Sequence, residues 1–130
     1  MDQRPATVLE RAIARGQEGV LDPRAVLWVL AAGPVVILNQ GEPAPNEFPG
    51  APLVLTREGQ SFLAVFTHQA MTGAFFSDAY VAASVPAFEM LRRVPEGTGM
   101  VVNPGSPLGL EVPADGLRAF TLDMLNTQMP

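Results

Sequence analysis

The chain holds a single histidine, His68, no cysteine and no lysine, so all eight of its basic residues are arginine. That inventory excludes cysteine nucleophiles, thiolate metal sites, Schiff-base chemistry and the P-loop lysine. His68 follows Thr67, which is placed to cap a short helix predicted from His68 to about Phe75. The positive end of a helix dipole there favours a neutral imidazole, the form a general base needs. A Ser-His-Asp arrangement also requires a serine on a sharp elbow and an oriented carboxylate. Ser61, Ser77, Ser106 and Asp78 stand in no such motif. One histidine among scattered carboxylates has neither HExxH nor DxDxDG spacing, so no metal and no cofactor is expected.

Other polar groups admit both a chemical and a structural reading. Asn103, Gly105 and Ser106 offer backbone donors for an anion, but Pro104 and Pro107 remove donors from the same stretch, which favours a structural turn. Arg92 and Arg93 fit a phosphate or a partner carboxylate; at the last turn of a helix they also complement its negative end, the simpler role. Glu42 and Glu47, flanking two prolines, read as a solvated surface. Phe75 reads as core, whereas Phe76 beside it is the preferred candidate for a partner or ligand contact. The candidate contacts are therefore Phe66, Thr67, His68, Phe76, Asn103 and Ser106, with no catalytic residue among them.

The elements that must position these residues follow from periodicity and punctuation. Val8, Leu9, Ala12 and Ile13 predict the buried side of a first helix, with Glu10, Arg11 and Arg15 opposite and Gly16 at its end. Asp22 before Pro23 is a helix start, running to about Ala32, after which Gly33 and Pro34 stop the helix and Val35 to Leu38 form a covered strand. Asn39 to Pro52, with four prolines, reads as a long surface loop. Leu53 to Thr56 and Ser61 to Phe66 flank a glycine-containing reversal, a β-hairpin whose second strand is apolar on both faces and belongs in the sheet centre. Tyr80 to Ala83 is a further short strand, and Ser84 is placed to cap a helix from near Pro86. The fold is organised around Gly99 to Val112: Met100, Val101 and Val102 form an interior arm. The second arm, with Leu108, Leu110 and Val112 alternating, lies near an edge. A last helix carries Leu117, Phe120, Met124 and Leu125 on one face.

Composition narrows the function classes. With 48% hydrophobic and 16% charged residues over 130 positions, the chain has globular composition and the length of one domain, residues 1–130. A net charge of −5 disfavours nucleic acid and anionic membrane, which need a basic face. The apolar run Ala25 to Leu38 is interrupted by Gly33 and Pro34 and falls short of the about 20 residues a bilayer requires. The start, with Asp2 and Glu10 and no apolar core, matches no secretory or transit peptide, so a cytoplasmic location is expected.

Three patterns in this order, VLWVLAAGPVVIL, LAVFTHQAM and GMVVNPGSPLGLEVPADGL, resemble the N-terminal domain of the SseB family, the bacterial enhanced serine sensitivity proteins. The likeness runs from about Val8 to Leu125. Its most specific parts are Phe66 and Thr67 closing the central strand, and Asn103 and Pro104 ending the later one. The family commonly places a small hydroxyl residue after its Phe-Thr pair, where this chain has His68. Many relatives continue into a second domain, so the chain resembles a stand-alone first domain. The resemblance implies an α/β domain and carries over no reaction, cofactor or functional residue.

These observations predict a single α/β (α+β) domain with a mixed sheet of about six strands packed by helices. The expected function is a non-enzymatic module that binds a protein partner or self-associates. The alternative is a small-molecule or peptide sensor, amino acids included, with a pocket between the Pro-rich loop and Phe66 to Phe76. A weak hydrolase centred on His68 ranks below both.

Overall fold

Thr7 opens the first helix by accepting the Glu10 N–H on its hydroxyl at 3.0 Å, and helix α1 runs Val8–Gln17. The structure, a computed structural model, describes residues 7–40, 52–73 and 80–128. Asp22 caps helix α2, Pro23–Ala31, accepting the Arg24 N–H at 2.8 Å with proline at the first helical position, as the sequence predicts. The chain then passes through strands β1, Pro34–Gln40, β2, Val54–Arg57, and β3, Gln60–Val65. A 3₁₀ turn, Gln69–Thr72, precedes strand β4, Tyr80–Pro86, and helix α3, Ala87–Arg92. Strands β5, Thr98–Val102, and β6, Leu110–Val112, lead into helix α4, Ala114–Gln128.

The six strands make the expected mixed α+β fold, divided into a β1-β4 pair and a four-stranded sheet in the order β2-β3-β5-β6. Two isolated bridges, Val36 to Phe66 and Asn39 to Pro52, tie β1 to the larger sheet. Strand β3 is central, pairing antiparallel with β2 and parallel with β5. Strand β6 is the edge that its alternation predicted. The β2-β3 reversal places Glu58 and Gly59 at φ 53° and 78°, the two left-handed residues of a tight hairpin turn. At Gly99 a side chain is impossible without movement, because a Cβ would lie 2.5 Å from the Val112 carbonyl oxygen and 2.9 Å from the Phe62 ring. Arg57 lies over the Phe62 ring, 5.5 Å from its centre, and reaches Glu111 at 2.7 Å. The hydrogen bond and charge of Glu111 hold the Arg57 guanidinium above its ordinary pKa.

Two cores flank the larger sheet. On one face Leu63, Val65, Met100, Val102 and Val112 meet α1, α2, α3 and α4, with Trp28 set edge-on to Phe120 at 5.0 Å. On the other, Leu38, Ala64 and Phe66 are buried beneath Val36, Leu55, Met71 and Tyr80. Burial of this kind contributes about 1.5–3 kcal/mol per large side chain.

Three local expectations are corrected. Val8 is 72% exposed, because the buried arc of α1 is centred on Leu9 and Ile13 and leaves Val8 outside it. The helix predicted from His68 is a four-residue 3₁₀ turn over its described part, and Thr67 does not cap it, its hydroxyl being engaged elsewhere. No helix dipole of useful length therefore acts on His68. Ser84 lies within β4 and makes no cap; Pro86 occupies the N-cap position of α3. The prolonged β4 has priority over the cap because Ser84 pairs with Val36 in the ladder. Most of the long loop and residues 74–79 lie outside the described residues.

Candidate functional site

Parallel pairing of β3 with β5 brings the ends of both strands to one edge, so Thr67 and His68 emerge beside Asn103. Helix α1 crosses that edge and contributes Glu10. The four residues form one hydrogen-bonded cluster from three separate parts of the chain. The Glu10 carboxylate is completely buried and takes the Thr67 hydroxyl proton on Oε2, while His68 Nδ1 lies 2.6 Å from the same oxygen. Asn103 completes the arrangement: its Oδ1 accepts the Thr67 N–H at 3.0 Å, and its Nδ2 donates to Thr67 Oγ1 and to the Leu108 carbonyl, each at 3.0 Å.

A buried carboxylate is costly unless partners replace its lost hydration. Thr67 and His68 act as such partners for Glu10, and its place in the first turn of α1 adds the favourable field of the helix N-terminus. The sequence assigned Glu10 to the solvent face, and this is the largest correction. A Thr-x-x-Glu start, here Thr7 to Glu10, ordinarily directs the glutamate back to the cap. In this chain its carboxylate reaches Thr67 and His68 instead. No short-range pattern distinguishes the two; in the structure Gln17, seven residues on and on the same helix edge, also reaches across, donating to the Pro107 and Gly109 carbonyls at 2.8 and 3.2 Å. Glu10 and Gln17 together mark the side of α1 that faces the strand ends.

Asn103 has φ 49° and Gly105 φ 81°, left-handed conformations that turn the chain out of β5. Ser106 lies in the same turn, donating its N–H to the Asn103 carbonyl at 3.0 Å and accepting the Leu108 N–H on Oγ at 3.1 Å. Those bonds, together with the Asn103 N–H donated to the Val65 carbonyl at 2.8 Å, are the arrangement of a structural turn. Phe66 is fully buried in the second core, so its ring packs against strands. Phe76 lies outside the described residues. Arg92 bonds Glu89 at 3.2 Å and sits 5.8 Å from the Phe88 ring, a local partnership on its own helix.

An apolar groove of about 500 Å³ adjoins the cluster, lined by Val8, Leu9, Val29, Leu30, Pro34 and Thr67 among others. His68 is the partly accessible member of the cluster, with about a third of its side chain exposed. Geometrically the cluster is no Ser-His-Asp triad. Thr67 Oγ1 and His68 Nδ1 are 3.5 Å apart and converge on the same Glu10 oxygen, whereas a triad sets the hydroxyl and the acid on opposite ring nitrogens. Among the described residues no three acidic or histidine side chains are grouped to hold a metal ion, and no helix is long and apolar enough to cross a membrane.

Comparison with known families matches most of this chain. The model of the SseB protein N-terminal domain matches residues 9–119, which include Glu10, Thr67, His68 and Asn103. No curated protein and no solved structure compared with the chain matches it. The match spans most of the sequence, and the chain belongs to the SseB family through that N-terminal domain.

Proposed function

We propose that this domain is a non-enzymatic recognition module that binds a protein partner at the strand ends. The observation carrying the reading is the mutual saturation of the polar cluster beside an apolar groove. Thr67 donates its hydroxyl hydrogen bond to Glu10, Asn103 donates its amide to Thr67 and Leu108, and His68 Nδ1 faces Glu10. The hydroxyl is buried and held between Glu10 and Asn103, an arrangement that orders the fold and leaves the oxygen little access to a substrate. The groove offers what recognition needs: apolar walls from Val8, Val29 and Leu30 and a polar end at Thr67. A partner that inserts an apolar side chain there and reaches His68 with a hydrogen-bonding group fits this chemistry.

The test is affinity purification of the intact protein from its native cell, followed by reconstitution with the purified partner. Wild type is expected to hold one partner stoichiometrically, and Val8→Asp, at a position 72% exposed, is expected to lose it while retaining its melting temperature. Partner binding that is indifferent to this substitution rejects the groove. The sensor reading draws support from the groove volume, which lies in the range of about 300–1,000 Å³ typical of small-ligand sites. A rise in melting temperature with an amino acid, serine included, favours that reading. Reproducible ester or phosphoester turnover that disappears in His68→Ala overturns the non-enzymatic one.

A further inference from the structure

Strand β4 runs seven residues, Tyr-Val-Ala-Ala-Ser-Val-Pro, without a charge. It pairs with β1 on one side, and no strand pairs with its other side among the described residues. The phase of its hydrogen bonds follows from the ladder. Ala87 N–H donates to the Gly33 carbonyl at 3.0 Å at the foot of the β1-β4 pair. Antiparallel bonding alternates, so Val85, Ala83 and Val81 also turn their backbone groups toward β1. The same alternation sends the groups of Val36 away from β4, and they are found on Phe66, with both bonds at 2.8 Å. The backbone N–H and C=O groups of Tyr80, Ala82 and Ser84 consequently point to the outer side of β4.

Edge strands ordinarily carry charges, bulges or an inward lysine that discourage pairing with another chain. Here Pro86, at the very end of β4, is the one such device in the strand. The geometry points to a second copy of this chain as the partner of β4, in an antiparallel β4-β4 dimer with Ala82 on its two-fold axis. In that register Ala82 faces Ala82 of the other copy, and Tyr80 faces Ser84 in both directions. All three outward residues are used, giving three residue pairs with two hydrogen bonds each. Val81 meets Ala83 on the opposite face, and the missing N–H of Pro86 falls outside the paired segment.

A second copy fits better than an unrelated peptide for two reasons. Identical charges near a two-fold axis repel, and this strand has none, although the whole chain carries −5. Self-pairing also joins the β1-β4 ladders of the two copies into one four-stranded ladder across the axis, satisfying edge groups that neither copy pairs with a strand by itself among the described residues. The surface is separate from the strand-end cluster, and the inference does not depend on how that cluster functions.

Sedimentation equilibrium and amide hydrogen exchange on the full chain test it. Wild type is expected to sediment as a monomer-dimer mixture, with protection of the Ala82 and Ser84 amides increasing with protein concentration. The Val81 and Ala83 amides, bonded to β1, are expected to be protected at every concentration. Ser84→Pro removes one outward donor from an exposed position, and Ala82→Lys puts like charges across the axis; each is expected to weaken association at least tenfold. Circular dichroism and melting temperature of Ser84→Pro confirm that the fold persists. A wild-type chain that stays monomeric at millimolar concentration overturns the inference. So does a dimer whose Ala82 and Ser84 amides exchange at a concentration-independent rate, or whose strength Ser84→Pro leaves unchanged.

Discussion

Replacing Asn103 with alanine tests the strand-end cluster most directly. The substitution strips partners from the Thr67 N–H, 3.0 Å from Oδ1, and from the Leu108 carbonyl, 3.0 Å from Nδ2. Both residues are buried, at 8% and 5% exposure, so water replaces the lost bonds poorly. Each buried group left unpaired costs about 1–3 kcal/mol. Alanine is also less at ease than asparagine at φ 49°, which adds about 1 kcal/mol. The sum is about 3–7 kcal/mol, and for a chain of this size it lowers Tm by roughly 10–30 °C. Asn103→Gly separates the two contributions: it loses the same side chain but accepts the left-handed backbone, so it is expected to recover about 1 kcal/mol relative to Asn103→Ala. Urea denaturation followed by circular dichroism measures both variants, with the slope of the transition checked for change. A loss under about 1 kcal/mol in both refutes the claim that Asn103 fastens β3 to the loop after β5.

Three further outcomes follow from the same geometry. Glu10→Gln and Thr67→Val are each expected to destabilise by about 1–3 kcal/mol, and in a double-mutant cycle to show coupling near 1 kcal/mol; additivity within about 0.5 kcal/mol removes their shared bond. Gly99→Ala is expected to cost about 2–3 kcal/mol by denaturant midpoint, because the added carbon meets a backbone oxygen that cannot swing aside; an unchanged midpoint contradicts the close approach of β5 and β6. Arg24→Ala breaks a 2.7 Å pair with Asp123 in which both side chains are well exposed, so the expected loss is under about 1 kcal/mol and shrinks further in high salt. A larger loss there shows that α2 and α4 are held together by more than the Trp28 to Phe120 contact and the surrounding core.

Packing and polarity divide the work at this site. Phe66, read at first as a contact candidate, anchors the second core, while the adjacent Thr67 turns its hydroxyl to Glu10. Two neighbouring residues thus face opposite ways, as alternation along an extended segment requires. Replacing the expected cap with this inward bond explains why the segment after Thr67 begins as a 3₁₀ turn, with His68 extended at φ −160° rather than helical. His68 then approaches Glu10 from the accessible side. The result is a site with one partly exposed titratable group above a dry polar layer.

What the sequence determined by itself was whatever depends on neighbours a few positions apart. Asp22 with Pro23 starts α2, Glu58 and Gly59 close the β2-β3 hairpin, and the unbroken apolar run of β3 places it centrally, because caps, turns and two-sided burial are each recorded within a short window. The three family patterns are of the same kind. Only the tertiary structure decided that Glu10 is buried, that Thr67 faces inward and that Asn103 spans to both Thr67 and Leu108. The bonds that Thr67 makes to Glu10 and to Asn103 join residues 57 and 36 positions apart, and their partners meet only because parallel pairing sets the ends of β3 and β5 side by side under α1. A glutamate in a first helical turn looks the same in sequence whether water or a threonine satisfies it; the neighbour brought in from a distant strand is what settles which.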